Sequence, residues 1–227
     1  MISSADWQSI GLSLQLAAIS TFVLLIIGTP LAWWLARSHW RFKFVVETLV
    51  ALPLVLPPTV LGFYLLIVLR PDGFISQSFE RVFGHGLAFS FTGLVLGSVV
   101  YSLPFVVQPL QNAFSNVAQR SLDVAATLGA SPRDQFINIA LPVAKPGFIT
   151  AAILGFAHTL GEFGVVLMIG GNIPGETQVA SIAIYEHVES LAFTQAHAVI
   201  NNHIIANAYF HAMANCNALP KDHIATH

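Results

Sequence analysis

The most chemically loaded position in this sequence is a glutamate set inside an apolar run: Glu162, in the stretch FAHTLGEFG at residues 156–164. An ionisable side chain is costly in such surroundings unless it faces the interior of a helix bundle or a wet cavity. His158 lies four positions earlier, so on a continuous helix the two share a face and can form a hydrogen bond or ion pair. Gly161 and Gly164 flank the carboxylate and would admit close approach of another backbone. Capping a neighbouring helix, holding an interface, gating a passage and lining one all remain open for Glu162. A second group lies in LPLVLPPTVLGFYLL, residues 52–66. There Pro53, Pro57 and Pro58 remove backbone donors and clash with the preceding turn, so a uniform helix is not expected. A broken helix within lipid needs protein or a polar cavity to satisfy its freed carbonyls. Pro57, Pro58, Thr59 and Gly62 are therefore candidates to line a passage, with Thr59 and Tyr64 as its polar groups. A structural kink with ordinary packing is the alternative.

The elements that must hold these residues follow from composition. Of 227 residues, 55% are hydrophobic and only 9% charged, with a mean hydropathy of +0.72. Soluble domains carry about 25% charged residues, and so few charges cannot cover a water-exposed surface. Four apolar stretches, near residues 12–36, 45–69, 88–110 and 146–170, each reach the roughly 20 residues a helix needs to cross a bilayer. Gly28-Thr29-Pro30 and Ser102-Leu103-Pro104 suggest bends in the first and third. The expected fold is an all-α membrane protein, a bundle of transmembrane helices. Net charge is −2 with no basic block, which argues against nucleic-acid binding. The single cysteine, Cys216, allows no intrachain disulfide.

Positive charge is unevenly shared among the links. Arg37, Arg41 and Lys43 follow the first stretch and Arg120, Arg133 and Lys145 follow the third, against Arg70 and Arg81 after the second. The positive-inside rule then puts 36–44 and 111–145 in the cytoplasm and the N-terminus outside. No positive side chain precedes Arg37, so the first stretch reads as a retained span and not a cleaved signal peptide. Trp33, Trp34 and Trp40 read as interfacial anchors.

The link at 111–145 is patterned for two short helices on the membrane surface. Leu122, Ala125, Ala126 and Gly129 recur at helical spacing, and Gly129 permits a turn. Ser131, Pro132 and Asp134 form a helix start with a capping box, Phe136, Ile137 and Ile139 give an apolar side, and Pro142 is expected to end the second helix.

This link resembles the cytoplasmic motif of bacterial ABC importer permeases, Glu-Ala-Ala, three residues, Gly, nine residues, Ile, one residue, Leu-Pro. Ala125, Ala126, Gly129, Ile139, Leu141 and Pro142 match it, while Val124, beside Asp123, holds the glutamate position. The resemblance implies that Val124, Ala125, Ala126, Gly129, Ala130, Ile139, Leu141 and Pro142 dock on an ATP-hydrolysing subunit. Over residues 7–191 the stretches LPLVLPPTVLGFYLL, LGASPRDQFINIALP, LGEFG and NIPGETQ resemble the molybdate permeases of this class. That likeness implies a type I, MetI-like bundle of about five spans in the bacterial plasma membrane, the inner membrane of a Gram-negative cell. It further implies a second copy of the permease, two ATPase subunits carrying ATP and Mg, and a periplasmic or lipoprotein molybdate-binding protein. The chain has no G-x-x-x-x-G-K-[ST] phosphate loop, so ATP chemistry falls to the partner and the chain itself is not expected to be an enzyme or to hold a cofactor or metal. A direct anion contact by Glu162 would be repulsive. Tungstate, sulfate or another tetrahedral oxyanion is an alternative cargo, and an ATPase-independent channel or secondary transporter the alternative of a different class.

The permease domain is expected to span 7–193. Residues 194–227 are rich in His and Asn and stand where the last span is expected. They read as an altered C-terminal sequence or as an atypical helix with its polar face buried. Their scattered histidines match no strong metal-binding template.

Overall fold

The computed structural model describes residues 3–84 and 86–203. They are all-helical: α1 (Ser4–Arg37), α2 (Lys43–Val55), α3 (Pro58–Val68), α4 (Phe74–Phe83), α5 (Phe91–Ser115), α6 (Gln119–Thr127), α7 (Pro132–Gln135), a π-helical turn (Phe136–Ala140), α8 (Leu141–Leu160), α9 (Gly164–Gly170) and α10 (Ala180–Glu189). Residues 193–203 are also helical; the rest of the expected C-terminal segment, 204–227, lies outside the described residues.

Three stretches, Ser4–Arg37, Phe91–Ser115 and Pro132–Leu160, are long and apolar enough to cross a membrane, and α2 with α3 makes a fourth if the bent pair counts as one span. The chain is a multi-pass α-helical membrane protein. Its outward faces agree: Phe22, Ile26, Phe44, Leu49 and Val55 are all exposed, Val55 by 81%. In water such a surface would drive association, whereas against lipid tails it is neutral.

Because lipid gives helices no hydrophobic reason to associate, close packing must hold them together. The central core joins α1, α5 and α8 through Leu24, Ala32, Leu35, Val106, Val107, Leu110, Phe114, Ala144 and Ala151. Small residues make it possible. A Cβ on Gly155 would stand 2.6 Å from a Val106 methyl, and one on Gly28 would stand 3.3 Å from another. A second core packs α3 on α9, with Leu61, Val165 and Ile169 buried together.

One sequence expectation changes here, at Pro142, and one is made specific. The second apolar stretch is the broken helix its prolines predict, and not one uniform rod: α2 and α3 are bent by 114° across Leu56 and Pro57. Pro57 and Pro58 each lack an N–H, and Pro58 is well placed at the start of α3, so the chain restarts a helix instead of bending one. Pro142 does not end a helix. The π turn just before it sends the Leu141 N–H back to the Phe136 carbonyl, five residues away. That wider turn removes the register in which a proline would clash, and α7, the π turn and α8 run on as one rod. The second surface helix is thus the beginning of the fourth span. α1 and α5 are each assigned as one helix that contains its proline, Pro30 in α1 and Pro104 in α5.

Candidate functional site

Glu162 sits in the break between α8 and α9, and the break explains its position. α8 ends at Leu160, and its last turn closes with the Gly161 N–H on the Ala157 carbonyl. Three residues later α9 begins at Gly164, whose Cβ, if it had one, would stand 2.7 Å from Pro58 Cβ and 3.2 Å from Thr59 N. The start of α9 therefore lies directly on the start of α3. A Cβ on Gly62 would likewise stand 2.8 Å from Met168 Cβ, so α3 and α9 pack backbone to backbone.

Between these breaks lies a cavity of about 490 Å³, lined by Pro58, Thr59, Tyr101, Ala157, His158, Gly161, Glu162, Phe163 and Gly164. Of the passage candidates named from sequence, Pro58, Thr59 and Glu162 meet here. Pro57 forms the elbow, Gly62 serves the α3–α9 contact, and Tyr64 is 58% exposed beside Phe63.

His158 and Glu162 do not pair. The helix carrying His158 ends between them, which abolishes the shared face that four-residue spacing requires. His158 Nδ1 instead meets Ser102 Oγ at 2.8 Å, and that hydroxyl also meets Thr159 Oγ1 at 3.0 Å. The imidazole stacks on Phe105 at 3.8 Å between centroids and tilts against Tyr101 at 4.7 Å. Glu162 is 4% exposed, and among the described residues neither of its carboxylate oxygens has a hydrogen-bond partner. The buried Ser98 hydroxyl is its polar neighbour on α5. Ser98, Tyr101 and Ser102 were not singled out from sequence as site residues. Their signal was present, since Ser98 and Ser102 are small polar residues one turn apart in an apolar span.

The opposite end of this region is anchored by polar contacts. In NIPGETQ, Thr177 Oγ1 donates to the Gly170 carbonyl at 2.7 Å, and Gln178 Nε2 and Asn172 Nδ2 both donate to Glu186 on α10. The Ala180 N–H donates to Ser13 Oγ and His187 meets Asp6 at 2.8 Å, tying this segment to α1. On α10, outside the spans, Tyr185 donates to Glu189 at 2.6 Å, and that carboxylate holds the phenol above its ordinary range.

The motif residues form a second, separate place. α6 ends at Thr127 with Leu128 as its C-cap, Gly129 turns the chain at φ +87°, and Ser131 caps the start of α7. Both arms of the expected capping box are present: Asp134 N–H to Ser131 Oγ and Ser131 N–H to Asp134 Oδ2, each 3.2 Å. Leu122 is buried against Val117 and Ala140, which fixes α6 to the bundle. Val124, Ala126 and Gly129 face outward, and Leu128 is 82% exposed. Ala125 and Ala130 are half-buried, as are Ile139 and Leu141 in the rod, while Pro142 is exposed. The eight coupling candidates thus divide between an exposed turn and the base of the fourth span.

Comparison with known proteins identifies the family. Residues 28–201 match the family described as the inner membrane component of binding-protein-dependent transport systems. The chain is 57% identical over 196 residues to the molybdenum transport system permease protein ModB of Azotobacter vinelandii, covering 86% of this chain and 87% of that one. It is 36% identical over 190 residues to ModB of Escherichia coli K12, covering 84% and 83%. To the sulfate transport system permease protein CysT of Synechococcus elongatus it is 34% identical over 186 residues, 82% of this chain and 65% of that one. In structure it is similar to a chain of a bacterial alginate ABC transporter, with a TM-score of 0.77 at 16% identity over 94% of this chain and 78% of that one. It is also similar to a chain of the MetNI methionine ABC transporter, with a TM-score of 0.67 at 17% identity over 93% and 91%. With the family match spanning most of the chain and these identities beside it, the protein belongs to the inner membrane components of binding-protein-dependent transport systems.

Proposed function

We propose that this chain is the membrane-spanning subunit of an ATP-driven importer that carries molybdate into the cytoplasm. The observation that carries the reading is the 57% identity, over 86% of the chain, to a molybdenum transport permease. In this reading the chain works as a homodimer with two ATPase subunits and receives the anion from a binding protein. The links bearing Arg37, Arg41, Lys43, Arg120 and Arg133 face the cytoplasm, the N-terminus faces outward, and the exposed turn at Val124–Gly129–Ala130 seats in the ATPase. Because α7 is continuous with α8, a push on that turn travels along one rod to Leu160, where the rod ends beside the Glu162 cavity. The broken α2–α3 pair and the α8–α9 break then act as a gate, with Pro58, Thr59 and Glu162 at its centre. In this reading Glu162 serves to close the passage, not to bind the cargo.

The test is binding-protein-dependent uptake of labelled molybdate into proteoliposomes holding this chain and its cognate ATPase, with sulfate as competitor. Uptake that needs ATP and resists excess sulfate is expected. Equal competition by sulfate would shift the cargo to the wider oxyanion class, a reading favoured by the 34% identity to a sulfate permease. Uptake without ATP would reject the importer mechanism.

A further inference from the structure

Where α1 meets the beginning of the fourth rod, a groove of about 490 Å³ opens between Thr29, Pro30, Trp33, Pro132, Arg133, Phe136 and Ile137. Its floor is aromatic, with Trp33 and Phe136 in edge contact at 5.2 Å. Its walls offer almost nothing polar. Pro30 and Pro132 have no N–H, and the Thr29 hydroxyl is turned onto the Leu25 carbonyl. At the mouth stands Arg133, exposed and, among the described residues, without an ion-pair partner. Its neighbour Asp134 is drawn away, with Oδ2 taking both the Ser131 N–H and the Ser131 hydroxyl.

Depth decides what such a groove can hold. Thr29 lies eight residues before Arg37, or about 12 Å along the helix axis. Arg37 ends α1 beside exposed Trp34 and Trp40, residues that sit at headgroup level. The groove therefore begins at the membrane–water boundary and runs inward across most of one leaflet, whose hydrocarbon is about 15 Å deep. An apolar channel at acyl-chain depth, with an unpaired guanidinium at headgroup depth, matches one molecule: a phospholipid with an anionic headgroup. We propose that this groove is a specific site for an anionic glycerophospholipid, phosphate on Arg133 and one acyl chain against Trp33 and Phe136. Because its walls come from both α1 and the start of the α7–α8 rod, an occupying lipid ties the exposed turn to the bundle. The proposal rests on membrane insertion and on no particular cargo or orientation.

The test uses the full chain in mixed micelles, with Trp7, Trp34 and Trp40 replaced by Phe so that Trp33 alone reports. Bromine-labelled acyl chains quench a tryptophan they touch. Brominated phosphatidylglycerol is expected to quench Trp33 at lower mole fraction than brominated phosphatidylcholine. A guanidinium at a membrane surface supports a preference of about fivefold. Arg133→Gln should abolish that preference, Arg133→Lys should retain most of it, and Arg120→Gln should leave it intact. Ile137→Trp, read by native mass spectrometry in the parent sequence, should reduce retained phosphatidylglycerol by filling the groove. Equal quenching by the two lipids, or a preference unchanged in Arg133→Gln, would show only ordinary boundary lipid and overturn the site. Quenching that disappears as the chain self-associates would show a second copy covering the groove and overturn it too.

Discussion

Two turns in this chain are built around glycine, and they use it for different reasons. At Gly129 a side chain would meet nothing within 4 Å, yet the backbone sits at φ +87°, a region that side chains with a Cβ rarely adopt. At Gly164 the requirement is space: a Cβ there would press on Pro58 and Thr59. The first turn projects outward and keeps its shape by its own backbone. The second is shaped by what packs against it. A disturbance at Gly129 should therefore stay local, while one at Gly164 should spread through α9 into α3.

The largest effect is expected from Gly164→Val. Overpacking of a tight contact costs about 1–3 kcal/mol, and here a backbone atom, Thr59 N, is among those struck, so little can yield. Folded yield in detergent and the thermal midpoint should both fall. Gly161→Ala is the matched control, since its nearest neighbours are carbonyl oxygens of its own helix at 3.6 and 3.9 Å. If both variants behave alike, the break tolerates bulk and the contrast with Gly129 fails.

Next in size is Gly129→Val, where forcing a β-branched residue into the left-handed region costs about 1–2 kcal/mol. Insertion and bundle stability should survive, because the turn lies outside both cores. Co-purification with the ATPase should drop, and Gly129→Asn, which tolerates positive φ, should restore much of it. Normal co-purification and normal uptake in the valine variant would remove the proposed coupling role. Glu162→Gln sharpens the same contrast from the interior. The amide keeps the shape and removes the ability to ionise, so assembly should hold while ATP-dependent uptake falls several-fold. Unchanged uptake would leave Glu162 a packing role alone.

These two glycines also show what the sequence could reveal. The turn at 129–134 was legible because its determinants are adjacent: Gly129 for the turn, Ser131, Pro132 and Asp134 for the helix start. The break at Pro57 and Pro58 was legible for the same reason, although the 114° angle was not, since it depends on where α9 packs. Pro142 misled because a proline's local meaning was overridden by the π turn before it. The pairing of His158 with Glu162 failed because helical spacing holds only while the helix lasts, and α8 stops at Leu160. His158 found Ser102 instead, a partner on another helix that no local pattern could supply.

The smallest predicted effect tests whether the exposed turn is as self-contained as its geometry implies. Ser131→Ala removes the hydroxyl that accepts from the Asp134 N–H but leaves Asp134 able to accept from the residue 131 N–H. Loss of such an N-cap costs about 1 kcal/mol. Because the π turn and α8 continue the rod below it, that loss should fray only the first turn. Amide exchange should quicken at residues 133–135 and stay unchanged in α8. Uptake should fall less than in Gly129→Val, since the cap steadies the helix start whereas the glycine sets the direction of the turn. If Ser131→Ala instead loosens α8 or matches the valine variant in lost co-purification, the cap is part of the force-bearing connection. The turn would then resemble the buried break at Gly164, dependent on distant packing for its shape.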